Sequence, residues 1–396
     1  MTHPEPVICA VARTPIGSFQ GGLKTMSAVQ LGIVAVKAVI ERSGVDPSMV
    51  DEVLFGQVLQ AGAGQAPARQ VALGAGLPHS IAATTINKVC GSSLKAVMLA
   101  ANSIRAGEYR CIIAGGMESM SRAVHMVLDG RERRRLGGFE MVDSLIHDGL
   151  WDVYNDEHMG NTGETVAKEH DISREDADAF SMRSHNKASA AWENGWFDWE
   201  VVPVEVPQRR KDPVLVETDE GFRSDISIEG LAALKPVFDK QGRVTAGNSS
   251  QISDGAAAVL VADRELAVEM GWEVIATIVD QCTSGVEPAR VMSAPIPAIE
   301  TLLSRNELTV EDVDVYEHNE AFAAASCSVA KVIGIPDERF NVHGGAVSLG
   351  HPLGASGARC LITMLAAMRR LDLDRGIVSL CLGGGNAVAM LVQRSP

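Results

Sequence analysis

Short apolar runs alternate with segments of helical apolar spacing in the first part of the chain. Runs rich in β-branched residues predict strands, and apolar residues three and four apart predict helices. The elements predicted in chain order are a strand at residues 7–11, a helix at 27–42, strands at 50–59 and 83–89, a helix at 91–105 and a strand at 111–114. The last three form a βαβ unit, which favours a parallel sheet.

The pattern changes between about residues 121 and 243. Acidic clusters, a run of arginines at 131–135 and four of the five tryptophans lie in this segment. Apolar regularity returns at 256–262, and strand and helix patterns alternate again from about residue 273 onward. The middle segment is therefore predicted to be an insertion within an α/β protein.

A weak internal repeat relates the two ends of the chain. Val50-Asp51 corresponds to Val313-Asp314, and the helix opening Gly91-x-Ser93 corresponds to Gly354-x-Ser356. Both pairs are 263 positions apart (313 − 50 and 354 − 91). Each copy runs through a predicted helix into a strand and a glycine cluster, so the repeat predicts two similar α/β halves whose helix N-termini face a common site.

Composition narrows the possible partners. The 396 residues suggest two or three structural units at about 100–200 residues per domain. With 46% hydrophobic, 21% charged and only 4% aromatic residues, the chain is typical of a globular protein with a core of small aliphatic side chains. A net charge of −15 disfavours nucleic acid and anionic lipid surfaces, whereas an anionic small molecule would need local basic groups or helix N-termini.

The cysteines and the first residues indicate the compartment. Seven cysteines without a CxxC pair argue against a disulfide framework or a zinc ribbon and favour a reducing environment. No basic segment followed by a long apolar stretch opens the chain, and nowhere do 18 apolar residues run together. We therefore expect a cytoplasmic protein without a membrane span.

Cys90 is the first candidate for chemistry. It lies in INKVCGSSLKAV, at a predicted strand-to-helix junction. Backbone N–H groups and the helix dipole at that point would lower the pKa of a cysteine and favour a nucleophilic thiolate. The alternative is a buried structural cysteine, and the residue alone does not decide between them.

Three further positions are weaker candidates when each is taken alone. His351 lies in a glycine-rich loop and could take up a proton near neutral pH, or it could be a loop histidine bonded to backbone. Cys381 ends an apolar strand before a glycine run whose N–H groups could bind an anion, or it is a core cysteine. Asn319 and Glu320 are expected to cap a helix, with or without a further role.

Other chemistry is disfavoured. Gly62-x-Gly64 follows a strand, but Pro67 takes the place of the third glycine of a dinucleotide loop. The histidines lack metal-ligand spacing, so no metal site is expected. The arginines at 131–135 are predicted to be a solvated surface, a docking site for phosphate groups or a subunit contact.

A set of motifs resembles the thiolase family from the start of the chain to its last strand. They are ARTPIGSF at 12–19, NKVCGSSLKAV around Cys90, GGMESMS at 115–121, TAGNSSQISDGAA at 245–257, NEAFAA at 319–324, GHPLGASGAR at 350–359 and CLGGG at 381–385. His158-Met159-Gly160 is similar to the acyl-pocket signature of the short-chain biosynthetic branch, whose members condense two acetyl-CoA to acetoacetyl-CoA and CoA.

The resemblance implies a five-layered α/β fold. Two similar βαβαβαββ halves would comprise residues 1–121 with 244–272 and residues 273–396, and a loop domain at 122–243 would be inserted between them and bind CoA. Members of this family form dimers or tetramers, so a homo-oligomer is also implied. Coenzyme A would be substrate and product, with no separate cofactor.

By the same resemblance, an acyl-CoA would acylate Cys90 with His351 activating the thiol. Cys381 would then remove a proton from the methyl carbon of a second acetyl-CoA. The N–H groups of Cys90 and Gly383 would bind the thioester oxyanion, and His351 with a water held by Asn319 would bind the enolate. Positions matching CoA and acyl contacts are Leu150, His158, Met159, Arg223, Ser250 and Phe322.

Several positions differ from the family pattern. Glycine is usual at Gln251 and Ala387, an apolar residue at His318, and Asn or Glu at His343. VMSAPIP at 291–297 replaces the usual MGIGPIP, so Met292 and Ala294 add bulk. These differences leave the acyl preference open. Cleavage of longer or branched 3-ketoacyl-CoA is therefore one alternative and a non-catalytic CoA binder is another, whereas a decarboxylating ketosynthase would have His in place of Cys381.

Overall fold

A computed structural model describes residues 4–132 and 136–394 of the chain. The strands in these segments are β1 (Pro6–Arg13), β2 (Gly17–Ser18), β3 (Glu52–Gly56), β4 (Ala82–Ile86), β5 (Cys111–Ser119), β6 (His125–Met126), β7 (Val142–Asp143), β8 (Trp151–Asp152), β9 (Glu157–His158), β10 (Val204–Gln208), β11 (Lys211–Val216), β12 (Ser253–Asp263), β13 (Ala276–Gly285), β14 (Val315–His318), β15 (Arg375–Leu382) and β16 (Asn386–Arg394). The helices are α1 (Ala28–Ser43), α2 (Pro67–Gly74), α3 (Ser92–Arg105), α4 (Met159–Glu169), α5 (Arg174–Glu193), α6 (Ile228–Ala232), α7 (Arg264–Met270), α8 (Pro295–Arg305), α9 (Ala323–Ile333), α10 (Ala346–Leu349) and α11 (Ser356–Leu371).

The predicted elements are present, with small shifts at their ends. Helix α1 begins after Ser27, whose side chain and that of Gln30 form a reciprocal capping box, and it ends at Gly44 in the left-handed conformation. Strand β5 is longer than predicted, because the glycines and the polar residues of its second half continue to pair with β12.

The large sheet is mixed, which corrects the expectation of a parallel sheet. Its strands follow the order β14-β15-β16-β13-β1-β12-β5-β3-β4, with β2 beside β12. Strand β3 pairs in parallel with β4 and β5, as the βαβ unit predicts. Strands β1, β12 and β5 are antiparallel neighbours, because the chain returns to this sheet from the middle segment rather than through a crossover helix.

The pairing of strands confirms the internal repeat. The first half has the order β3-β5-β12-β1 and the second β14-β15-β16-β13, with a parallel pair followed by antiparallel pairs in both. Glu52 of β3 pairs with Ile112 of β5, and Val315 of β14 pairs with Gly376 of β15. The two halves join where β1 pairs with β13.

Three apolar cores separate the layers. Successive residues of β12 alternate between two of them, since Ala258 and Leu260 pack toward α1 whereas Val259 and Val261 face α3 and α11. Strand β16 does the same in the second half, where Ala389 and Leu391 face α8 and its neighbours. Helices α3 and α11 thus form a central layer between the two halves of the large sheet, and outer helices complete the five-layered fold.

The middle segment carries α4, α5 and α6 and several short hairpins. A fully buried ion-pair group fixes it to the large sheet, because Arg13 of β1 bonds Glu200 at 2.6 Å and Asp219 at 2.8 Å. The domain boundaries at 121, 244 and 273 stay a prediction. Of the arginine run at 131–135, residues 133–135 lie outside the described residues.

Candidate active site

The loop after β4 presents Cys90 on a sharp turn. Val89 adopts a φ of 48°, a conformation that is strained for a β-branched residue. The Ser92 hydroxyl donates to the Val89 carbonyl at 2.6 Å and accepts the Lys88 N–H at 2.9 Å, which fixes the turn. Gly91 then stands before the first residue of α3, so Cys90 lies at a helix N-terminus as the sequence predicts.

The pKa of Cys90 moves in the opposite direction to the one expected. Burial raises it to about 12, and the negative charge of Glu118 adds to this effect. The backbone N–H groups of Cys90 and Gly383 bond the sulfur and lower its pKa, but by less than burial raises it. The resting residue is therefore a thiol that needs a base, rather than a thiolate formed by the helix terminus alone.

His351 is also buried, and burial together with the charge of Arg359 lowers its pKa to about 3. It therefore stays neutral near pH 7, which corrects the expectation that it takes up a proton there at rest. Its backbone N–H donates to the Gln251 carbonyl at 3.0 Å. A neutral imidazole has a free lone pair on one nitrogen and can serve as a base.

The hydrogen bonds of His351 assign its tautomer. Ser356 donates its only hydroxyl proton to the Pro352 carbonyl at 2.8 Å, and the same oxygen lies 2.6 Å from Nδ1 of His351. Nδ1 must therefore carry the proton and donate to Ser356. Nε2 keeps its lone pair and lies 3.4 Å from the amide nitrogen of Asn319. The basic nitrogen is thus the one that faces Asn319.

Asn319 does not cap a helix. Helix α9 begins only at Ala323, with Phe322 at the capping position, so the expectation for Asn319 and Glu320 is wrong. The amide of Asn319 donates toward His351, and its oxygen lies 3.9 Å from the thiol of Cys360. The carboxylate of Glu320 accepts bonds from neighbouring segments instead. Both side chains are fully buried, so tertiary contacts have replaced local capping.

Cys381 ends β15 before the glycine run and is buried. Burial raises its pKa, and the negative charge of a Cys90 thiolate would raise it further. Its Sγ lies 3.6 Å from Sδ of Met292. The glycine run turns sharply, with Gly384 and Gly385 both in the left-handed region, and thereby brings the Gly383 N–H to Cys90.

One cavity of about 260 Å³ unites most of the predicted residues. Its lining includes Cys90, His351, Cys381, Gly383, Leu150, His158, Met159, Ser250 and Phe322. Asn319 contacts His351, which lines the cavity. Arg223 lies apart, in a neighbouring cavity that shares Ala246 and Gln251 with the first. Phe238 stacks on His158 with ring centroids 4.8 Å apart, which gives the cavity an apolar wall.

Glu118 is the residue that the sequence analysis missed. It is fully buried beneath the site, and its carboxylate accepts the N–H groups of Val58 at 3.0 Å, Leu59 at 3.2 Å and Gly354 at 3.0 Å. It therefore links a loop of the first half to the loop that carries His351. Burial raises its pKa to about 7 despite these bonds. The only signal was its place in GGMESMS, where a charged residue interrupts an apolar strand.

Most positions that differ from the family pattern have structural partners. The side chain of Gln251 donates to the Gly221 carbonyl at 2.8 Å and the Val347 carbonyl at 3.0 Å. His318 stacks on a phenylalanine, and His343 accepts a bond from an arginine. Ala294 and Ala387 are fully buried in the core of the second half. Only Gln251 and Met292 among these six line the cavity with Cys90.

This arrangement can activate and stabilise a sulfur nucleophile. It combines a thiol, a neutral imidazole with an available lone pair, a second thiol and two converging N–H groups in an apolar cavity. Groups of this kind fit acyl transfer, in which a thiol attacks a thioester and N–H donors stabilise the oxyanion. In the part of the chain that the structure describes, no three potential metal ligands cluster, and no helix is long and apolar enough to cross a membrane.

The chain is similar over its length to proteins of known name. The model of the thiolase N-terminal domain matches residues 6–265, and that of the thiolase C-terminal domain matches residues 272–394. An acetyl-CoA acetyltransferase of Cupriavidus necator is 51% identical, covering 98% of this chain and 99% of that protein. One from Chromobacterium violaceum is 48% identical, covering 98% and 100%. The crystal structure of human mitochondrial 3-ketoacyl-CoA thiolase has a TM-score of 0.96 at 35% identity and full coverage of both chains.

Proposed function

The chain belongs to the thiolase family, and from that premise we propose that it is an acetyl-CoA acetyltransferase. It condenses two acetyl-CoA to acetoacetyl-CoA and CoA, reversibly, through an acetyl group held on Cys90. The observation that carries this proposal is the convergence of Cys90, His351 and Cys381 on one cavity, with the Gly383 N–H at the nucleophile.

In the first half-reaction, His351 Nε2 takes the proton of Cys90 and the sulfur attacks the thioester carbon. The N–H groups of Cys90 and Gly383 stabilise the oxyanion of the tetrahedral intermediate. The C–S bond to CoA then breaks. The leaving CoA sulfur takes the proton of Cys381, so Cys381 becomes a thiolate next to the imidazolium of His351. Free CoA departs and Cys90 remains acetylated.

In the second half-reaction, the Cys381 thiolate removes a proton from the methyl carbon of another acetyl-CoA. His351 and a water held by Asn319 stabilise the enolate oxygen. The carbanion attacks the acetyl carbon on Cys90, a C–C bond forms, and the Cys90 sulfur leaves with the proton of His351. Cys381 ends as a thiol, so every proton is accounted for and the enzyme returns to its starting state.

Acyl-CoA substrates are the partners that the family implies, and no separate cofactor takes part in the proposal. Leu150, His158, Met159, Ser250 and Phe322 line the cavity and would surround the acyl group and the pantetheine arm. Arg223 would act further out, in the neighbouring cavity with His185 and Asp225. A guanidinium there offers charge-assisted bonds to a CoA phosphate.

Assembly and location complete the proposal. Strand β4 is an edge strand of the large sheet with exposed residues, which suits pairing with a second copy in a homo-oligomer. All seven cysteines are unpaired, which suits the reducing environment of the cytoplasm.

A second candidate function keeps the chemistry and changes the substrate to longer 3-ketoacyl-CoA. The fold similarity to human mitochondrial 3-ketoacyl-CoA thiolase favours it, whereas the higher identity to acetyl-CoA acetyltransferases favours the first. Comparing kcat/KM for thiolysis of acetoacetyl-CoA and of longer 3-ketoacyl-CoAs tests both. A clear preference for acetoacetyl-CoA supports the first function, a preference for longer chains supports the second, and activity on none contradicts both.

A further inference from the structure

Met292 occupies the side of the cavity next to Cys381. It lies in the short helical turn Pro288–Ser293, and its side chain is 3% exposed. The thioether sulfur is 3.6 Å from the thiol sulfur of Cys381, which is direct contact. Since a glycine is usual here in the family, this side chain adds bulk at the point where a substrate carbon would meet Cys381.

The surroundings hold the Met292 side chain in place. It packs in one apolar cluster with Val291, Phe322, Ala325 and Cys381. The backbone of its segment is fixed as well, because the Ser284 hydroxyl donates to the Ala294 carbonyl at 2.6 Å. Methionine is flexible in general, but in a packed cluster a new rotamer requires its neighbours to move.

The substrate atom that faces Cys381 is C2 of the 3-ketoacyl-CoA, the carbon between the two carbonyl groups. This step rests on the proposed function, in which Cys381 exchanges a proton with that carbon. A substituent on C2 would lie beside the Cys381 sulfur and needs about 3.5–4.0 Å from other heavy atoms. The Met292 sulfur already fills the space on this side at contact distance.

We propose that Met292 is a specificity-determining residue that excludes substrates branched at C2. The enzyme would therefore act on unbranched 3-ketoacyl-CoA and reject 2-methylacetoacetyl-CoA. The exclusion is steric, because the methyl group and the Met292 side chain compete for one volume. Chain length is a separate property, since an unbranched chain extends from C3 and not from C2.

The test compares thiolysis of acetoacetyl-CoA and 2-methylacetoacetyl-CoA by the full-length protein and two variants. Met292→Ala removes the bulk, and Met292→Leu keeps the bulk but removes the sulfur. One methylene group in a pocket changes kcat/KM by roughly 10- to 200-fold. We expect Met292→Ala to raise the ratio of branched to unbranched kcat/KM at least about tenfold, and Met292→Leu to leave it within about threefold.

An unchanged ratio in Met292→Ala would overturn the proposal, and so would an equal rise in Met292→Leu, which would assign the effect to the sulfur. If Met292→Ala does not fold, Met292→Val shortens the side chain with a smaller loss of packing and must raise the ratio too. Failure of the proposed function gives a different result, because the unmodified protein would then not cleave acetoacetyl-CoA at all.

Discussion

Replacing Ser356 by alanine tests whether its hydroxyl sets the tautomer of His351. The hydroxyl accepts the Nδ1 proton of His351 at 2.6 Å and donates its own proton to the Pro352 carbonyl. Without it, the buried Nδ1–H has no partner, so the tautomer with the proton on Nδ1 loses its stabilisation relative to the tautomer with the proton on Nε2. In that tautomer Nε2 can no longer accept the proton of Cys90.

The magnitude follows from the cost of an unsatisfied buried donor, which is about 1–3 kcal/mol. His351 is only 5% exposed, so water cannot easily substitute. Since about 1.4 kcal/mol corresponds to a tenfold change in rate, we expect the acylation rate of Cys90 to fall roughly 5- to 150-fold. The assay measures the release of CoA from acetyl-CoA in a single turnover, after enzyme and substrate have been combined in a rapid-mixing instrument.

A matched control separates this effect from the loss of any buried hydroxyl. Ser328 is fully buried in α9 and donates to the Ala324 carbonyl at 2.7 Å, without a link to His351. Ser328→Ala should lower stability slightly and leave acylation unchanged. Acylation by Ser356→Ala at the unmodified rate, or an equal loss in Ser328→Ala, would refute the assignment of the tautomer.

Two buried carboxylates give further predictions. Glu118 accepts three backbone N–H bonds when ionised, so kcat should rise with pH through about 7 as Glu118 loses its proton. Glu118→Gln should lower kcat and remove this rise. An unchanged pH profile of kcat in Glu118→Gln would contradict the proposed role of the Glu118 carboxylate. Because folding raises the Glu118 pKa from 4.5, its contribution to the free energy of unfolding should decline as pH rises from about 4.5 to about 7, which urea titrations would detect. Arg359→Met breaks the buried pair with Glu317 and should lower the free energy of unfolding by about 3–5 kcal/mol, whereas a loss below about 1 kcal/mol would mean that the pair is dispensable.

The repeat and the layered fold could be predicted because they depend on local periodicity. Strand β12 alternates between two cores at every residue, so its apolar run is continuous and easy to recognise. The turn at Cys90 was also recognisable, since a strand gives way to Gly91 and then to good helix formers. Patterns of this kind depend only on residues that are close together in the sequence.

The pKa values at the site could not be predicted in the same way. Both Cys90 and His351 respond mainly to burial, which depends on how the two halves pack around them. Asn319 was assigned to a helix cap because its residue type is common there, but its side chain contacts His351 and Cys360 instead. The partners of Glu118 are backbone groups far away in the sequence, so the charged residue within its strand did not by itself indicate its role.

The intact mass of the protein after exposure to acetyl-CoA tests the central claim most directly. The account predicts one acetyl group on the unmodified protein and none on Cys90→Ala. It predicts that Cys381→Ala becomes acetylated but does not release acetoacetyl-CoA. An acetyl group on Cys90→Ala, or condensation by Cys381→Ala at the unmodified rate, would contradict the roles assigned to the two thiols.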